Sequence, residues 1–143
     1  MIEAASSNLD ELVVVVATNL HKATGTFTTD ERLAMVWDCC RTLGNVRVLA
    51  YGGLLIDIAR NVGASVLVRG GGKEHATEKE MAYMNGCDGL PTVLIPSDPQ
   101  TAFVSSSLVR TLLAAGALDA ATSLVPTSVA KVMRARQEAA VRA

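Results

Sequence analysis

Four short runs of aliphatic and β-branched residues recur along the chain, and helix-like amphipathic segments stand between them. The runs are Val13 to Val16, Val46 to Ala50, Ser65 to Val68 and Thr92 to Ile95. Each is four or five residues long and mostly apolar, and Val13 to Val16 is by its length and β-branching suited to a buried strand. Strand–helix–strand order repeated in this way predicts an α/β domain: a Rossmann-like parallel sheet with helices on both faces. At 143 residues the chain is one such domain, residues 1–143.

The helical segments carry readable boundaries. Thr28 stands three residues before Glu31, a capping box, and opens a helix predicted to run to about Leu43, with Gly44-Asn45 stopping it. Leu54 to Asn61 reads as a second helix ended by Gly63, and a polar helix is expected over Thr77 to Asn85. Ser105 to Ala115 forms another, closed by Gly116. A last helix begins near Ser128, and its basic, Ala-rich tail from Arg134 is expected to fray. The segment from Ile2 to Asn8 reads as the later part of a helix.

In open parallel sheets, ligands bind at the carboxyl ends of the strands. Three polar loops are expected to meet there: Asn19 to Lys22, Arg69 to Gly72, and Thr101 to Ser107. The third carries the best-marked site. Ser105, Ser106 and Ser107 stand where a helix begins, beside backbone N–H groups and the positive end of the helix dipole, an arrangement that binds phosphate. Arg110 follows one turn later and adds a charge-assisted contact. A serine N-cap alone is the commoner reason for one such hydroxyl. Three in a row exceed what capping requires.

Arg69-Gly70-Gly71-Gly72-Lys73 combines close backbone approach with flanking cations, but its spacing matches neither the dinucleotide fingerprint nor the P-loop. A flexible loop explains it equally well. Lys22 is a third cation at the same sheet edge, and by itself a solvated surface lysine. His21 and His75 have no acid or thiol at catalytic spacing. Cys39, Cys40 and Cys87 form neither a disulfide framework nor a zinc pattern. With 13 basic and 14 acidic side chains, the net charge of −1 provides no basic field for a nucleic acid. The longest apolar run, Leu12 to Ala17, is too short to cross a bilayer, and no export signal is visible. A reducing cytoplasm is the expected compartment.

Taken together, these segments resemble bacterial phosphopantetheine adenylyltransferases of the nucleotidyltransferase superfamily. Phe27-Thr28-Thr29-Asp30-Glu31-Arg32 resembles the family's Phe-Thr-x-x-Glu-Arg, Gly44-Asn45-Val46 its Gly-Asn-Val, and Leu67-Val68-Arg69-Gly70 its Ile/Leu-x-Arg/Lys-Gly. Met84-Asn85 is similar to its Met-Asn, Phe103 to Val109 to its Ser-Phe-x-Ser-Ser-Ser-Leu-Val, and Leu124-Val125-Pro126 to the Leu-Pro before its last helix. The resemblance implies adenylyl transfer from ATP to 4′-phosphopantetheine, giving dephospho-coenzyme A and pyrophosphate, with Mg²⁺ and a homo-oligomer, typically a hexamer. It implies that Lys22 contacts the phosphopantetheine phosphate and the reacting phosphoryl group. Leu54, Leu55, Arg69 and Asn85 would bind the acceptor. Gly70, Gly71, Gly72, Glu80, Thr101, Ala102, Phe103, Val104, Ser105, Ser106, Ser107 and Arg110 would hold ATP.

The chain departs from the pattern in named places. The family opens with a strand and a Gly-x-Phe-Asp-Pro-x-x-x-Gly-His loop whose histidine stabilises the transition state, and Met1 aligns just past that histidine. The resemblance thus implies that roughly twenty residues of the family pattern lie outside these 143. Its Arg-Gly-Leu-Arg reads Arg69-Gly70-Gly71-Gly72, with Lys73 next as a partial substitute, and Thr111 stands for a glutamate. Of its Asp-Phe-Glu-Tyr-Glu, Ala76-Thr77-Glu78-Lys79-Glu80 keeps only the acids. Two alternatives stay open: a catalytically inactive relative that binds nucleotide or coenzyme A, and a nucleotidyltransferase with another phosphate acceptor.

Overall fold

A computed structural model of the chain describes residues 1–18, 26–71, 86 and 89–142. The described elements run α1 (Ile2–Ser6), β1 (Leu12–Ala17), α2 (Thr29–Cys40), β2 (Val46–Tyr51), α3 (Leu55–Asn61), β3 (Leu67–Gly71), β4 (Thr92–Pro96), α4 (Ser106–Ala114), α5 (Leu118–Ser123) and α6 (Thr127–Arg142). This is the expected α/β alternation. All four expected strands are present, and both strand pairings are parallel.

The strands form two pairs rather than one described sheet. β1 lies on β2 with Leu12 opposite Val46, and β3 lies on β4 with Leu67 opposite Thr92. Between the pairs runs a groove of about 520 Å³, lined by Leu12 to Val15 of β1 and by Leu67 and Val68 of β3. Parallel-ladder geometry decides where the backbone points. Leu12 N–H donates to the Asn45 carbonyl and Thr18 N–H to that of Tyr51, each at 2.9 Å. Alternate residues, Val13 and Val15, consequently turn their N–H and C=O away from β2.

Three boundaries differ from the sequence reading. β3 begins at Leu67 rather than Ser65 and continues through Arg69, Gly70 and Gly71, which had read as a loop. Pairing with Leu94, Ile95 and Pro96 of β4 holds them extended, and ladder hydrogen bonds outweigh glycine's freedom there. Gly70 also lies against the first residue: a Cβ on it would stand 2.7 Å from Met1 Sδ. α2 stops at Cys40, not Leu43. The short helix α5 was not foreseen, because its six residues carry no side-chain cap.

Ala59, Leu67 and Leu90 form a buried cluster, with Leu55, Ile56 and Ala64 packed on it. α1 is tied to the β2 entrance by Asn45, whose side-chain amide donates to the carbonyls of Ser6 (2.8 Å) and Leu9 (2.9 Å). α6 is regular to Arg142, so the basic tail continues the helix. Among the described residues, no helix is long and apolar enough to cross a membrane.

Candidate phosphate-binding site

The start of α4 has the geometry its sequence predicted. Ser105 is the N-cap, extended at φ −139°, and its hydroxyl accepts from Leu108 N–H at 3.2 Å. Capping is thus complete with one serine. Ser106 and Ser107 occupy the first helical turn and are exposed. Arg110 donates to Ser107 Oγ at 3.1 Å, which holds the guanidinium beside the helix start. No acidic side chain stands in the first turn of α4, so nothing in that turn competes with an anion.

The approach to this helix is a short series of turns. Gln100 N–H donates to Asp98 Oδ1 at 2.9 Å, Thr101 N–H to the Asp98 carbonyl at 3.0 Å, and Val104 N–H to the Thr101 carbonyl at 2.9 Å. These bonds carry the chain from Pro96, at the carboxyl end of β4, to Ser105. Thr101, Ala102 and Phe103 are exposed along that path, Phe103 at 57%.

Across the β3–β4 ladder, Gly70 pairs with Ile95 and Gly71 with Pro96. The glycine edge and the segment leading to Ser105 therefore leave the sheet side by side, as the topology predicts for a ligand site. Arg69 lies one residue earlier, opposite Leu94. Leu54 and Leu55 have unlike surroundings: Leu54 is 68% exposed at the N-cap of α3, and Leu55 packs against the buried cluster. Lys22, Gly72, Glu80 and Asn85 lie outside the described residues, as do His21, Lys73, His75, Cys87 and the helix expected over Thr77 to Asn85.

Two supporting arginines were not anticipated. Arg32 donates to the Ala17 carbonyl at 3.0 Å, fastening the end of β1 to α2. Arg136 of α6 reaches both carboxylate oxygens of Glu31 at 3.3 Å and lies over the Phe27 ring, 5.4 Å from its centroid. The adjoining Arg in Phe27-Thr28-Thr29-Asp30-Glu31-Arg32 was a sequence signal for the first. A partner 105 residues away left no signal for the second.

Residues 1–112 match the cytidylyltransferase-like family. A phosphopantetheine adenylyltransferase of Nocardioides sp. is 35% identical over 139 residues, covering 95% of this chain and 86% of the relative. Another, from Finegoldia magna, is 31% identical over 140 residues, covering 95% and 85%. With the parallel α/β architecture already in place, the chain belongs to the phosphopantetheine adenylyltransferase family of nucleotidyltransferases.

Proposed function

We propose that this protein transfers an adenylyl group from ATP to 4′-phosphopantetheine, with release of pyrophosphate, as a cytoplasmic homo-oligomer. The observation that carries the reading is the α4 start, where Ser105 alone caps the helix and Ser106, Ser107 and Arg110 remain available to ATP phosphates. Such in-line chemistry needs positioning and charge neutralisation rather than a covalent intermediate. Lys22 and Arg69 would supply the charge on the acceptor side. Mg²⁺ would arrive on the ATP phosphates, which suits an ion that keeps few protein ligands. Among the described residues, no cluster of three acidic, histidine or cysteine side chains competes for it.

The groove between β1 and β3 supports a second part of this reading. It presents the outward backbone of Val13 and Val15, and Met1 lies beside Gly70 on β3. A strand entering α1 from the amino side of Met1 would lie beside this groove, where it could join the two pairs into one sheet. Such a strand would correspond to the family's opening strand, which leads into its Gly-x-Phe-Asp-Pro-x-x-x-Gly-His loop. The 143 residues contain no such segment.

Pyrophosphate release from ATP, Mg²⁺ and 4′-phosphopantetheine tests the assignment. The 143 residues alone are expected to show negligible turnover, because one lost preorganised donor costs on the order of 10²–10³ in rate and a lost loop costs more. A chain extended by a family strand and loop is expected to turn over. Robust turnover without the extension would overthrow the alignment of Met1. Absence of turnover with it, while ATP binding persists, would favour the second reading: a relative that binds nucleotide without catalysis.

A further inference from the structure

One side of α2 is exposed from its first turn to its C-cap. At about 3.6 residues per turn, the helix divides its residues among three directions. Met35 and Cys40 are buried. Toward α6, Cys39 Sγ meets Ser128 Oγ at 3.2 Å and Glu31 meets Arg136 at 3.3 Å. On the remaining side stand Asp30, Ala34, Trp37 and Arg41, all exposed. They follow one another at steps of four, three and four residues. Those steps place them in one stripe within about 60° of arc. Arg41 keeps helical angles (φ −57°, ψ −21°), so the stripe extends to it without a break.

A single apolar residue on a surface is ordinary, and Trp37, 58% exposed, would mean little alone. The order of its neighbours gives it meaning. The stripe reads acid, small, large, base. Turned end over end about a point level with the midpoint between Met35 and Val36, it becomes its own complement. Asp30 then falls opposite Arg41, and Ala34 opposite Trp37, about the same point. Asp30 and Arg41 stand about 16 Å apart along one helix and do not reach each other within it. Among the described residues, neither has an ion-pair partner.

We propose that this stripe is a twofold contact between copies of the chain, α2 against α2 and antiparallel. Trp37 of each copy packs over the partner's Ala34, and an ion pair between Asp30 and the partner's Arg41 closes each end. A parallel pair sets acid on acid and base on base, so charge decides the direction. A basic or an acidic partner protein matches one end of the stripe; a second copy matches both, as a twofold axis requires. Tryptophan is the residue type most enriched among those that carry binding energy, and here it sits near the centre of the contact. One helix face buries less than the roughly 1,200 Å² of a stable complex, so the contact by itself is weak and concentration-dependent. It gives the homo-oligomer proposed above one defined surface, and it stands independently of the transfer reaction.

Sedimentation velocity and tryptophan emission, measured on the chain across the micromolar range, test this. Trp37 is the chain's one tryptophan, so its emission reads this face alone. Emission is expected to move to shorter wavelength as the copies associate and water leaves the indole. Trp37→Ala should weaken association about thirtyfold, while the melting temperature of the separated chain moves by no more than about 2 °C. Asp30→Lys and Arg41→Glu should each weaken association roughly tenfold, since each reverses a charge at both ends of the contact. An equimolar mixture of these two variants should recover the parent's affinity to within about threefold, because each reversed charge then meets its opposite in the other chain. Helix stability cannot produce that recovery, as mixing changes neither fold. A mixture no tighter than either variant alone would overturn the proposal, and so would association that Trp37→Ala leaves unchanged. A chain that stays monomeric throughout overturns it as well. An oligomer whose emission does not change with concentration overturns this contact and leaves the homo-oligomer itself standing on another surface.

Discussion

Among the described residues, two helices begin with a side-chain hydroxyl cap, and their first turns differ in whether an acid answers it. At α2, Thr28 caps the helix and Glu31 returns the bond to Thr28 N–H, with Arg136 neutralising the carboxylate. The orphan donor and the dipole's positive end are answered from within. At α4, Ser105 caps the helix, but position N3 is Leu108 and the first turn holds no acid. The hydroxyls and dipole there have no internal anion. The same kind of cap is closed by an internal acid at one helix start and not at the other; the residue three positions on makes the difference.

Removing the open site's hydroxyls should give the largest effect. Ser106→Ala with Ser107→Ala leaves Ser105 as the cap, so stability should fall by no more than about 1 kcal/mol. ATP affinity should drop more than about a hundredfold, since each hydrogen bond to a charged group contributes roughly 1.5–3 kcal/mol. Calorimetry with ATP and Mg²⁺ on parent and double variant measures both. A well-folded parent without ATP binding would reduce α4 to another closed helix start and end the comparison.

The reciprocal change at α2 is smaller and of the opposite kind. Thr28→Ala should lower stability by about 1 kcal/mol in denaturant unfolding and leave ATP affinity within about twofold. An ATP affinity that fell with it would show the two helix starts acting as one site.

The smallest effect is on pH. The Thr28 backbone N–H, helped by the Thr28 hydroxyl and by Arg136, holds the Glu31 carboxyl below its ordinary value. A depressed acid contributes stability that is complete above the unfolded glutamate pKa, about 4.3, and is lost as pH falls through the lowered folded value. Protection of the amides at the start of α2, taken relative to their intrinsic exchange at each pH, should therefore fall below about pH 4, and Glu31→Gln should remove that dependence. The start of α4, with no acid, should show none.

How much could be read in advance differed by element. The strands were legible because Val13 to Val16 and Thr92 to Ile95 are short, β-branched, mostly apolar runs set between helical segments. The α4 site was legible because its donors are neighbours in sequence, Ser105 to Arg110. α5 was not, since a six-residue helix without a side-chain cap is held by packing on α4 and α6 rather than by its own residues. The glycines at 70 and 71 misled in the other direction. Read locally they signal a loop, but pairing in register with Ile95 and Pro96 keeps them in β3.

Sequence by itself determined the α/β alternation, the capping of α2 and α4, and the chemistry offered at Ser105 to Ser107, because each depends on residues within one turn or one strand. Tertiary structure alone decided that the strands pair two by two around a groove, that Leu55 enters the core while Leu54 stays exposed, and that Arg136 closes on Glu31 from 105 residues away. The physical reason is the range of the forces involved. Capping and strand patterning are set by covalent neighbours. Edge pairing, burial and a half-exposed ion pair exist only after distant segments have packed and excluded water between them.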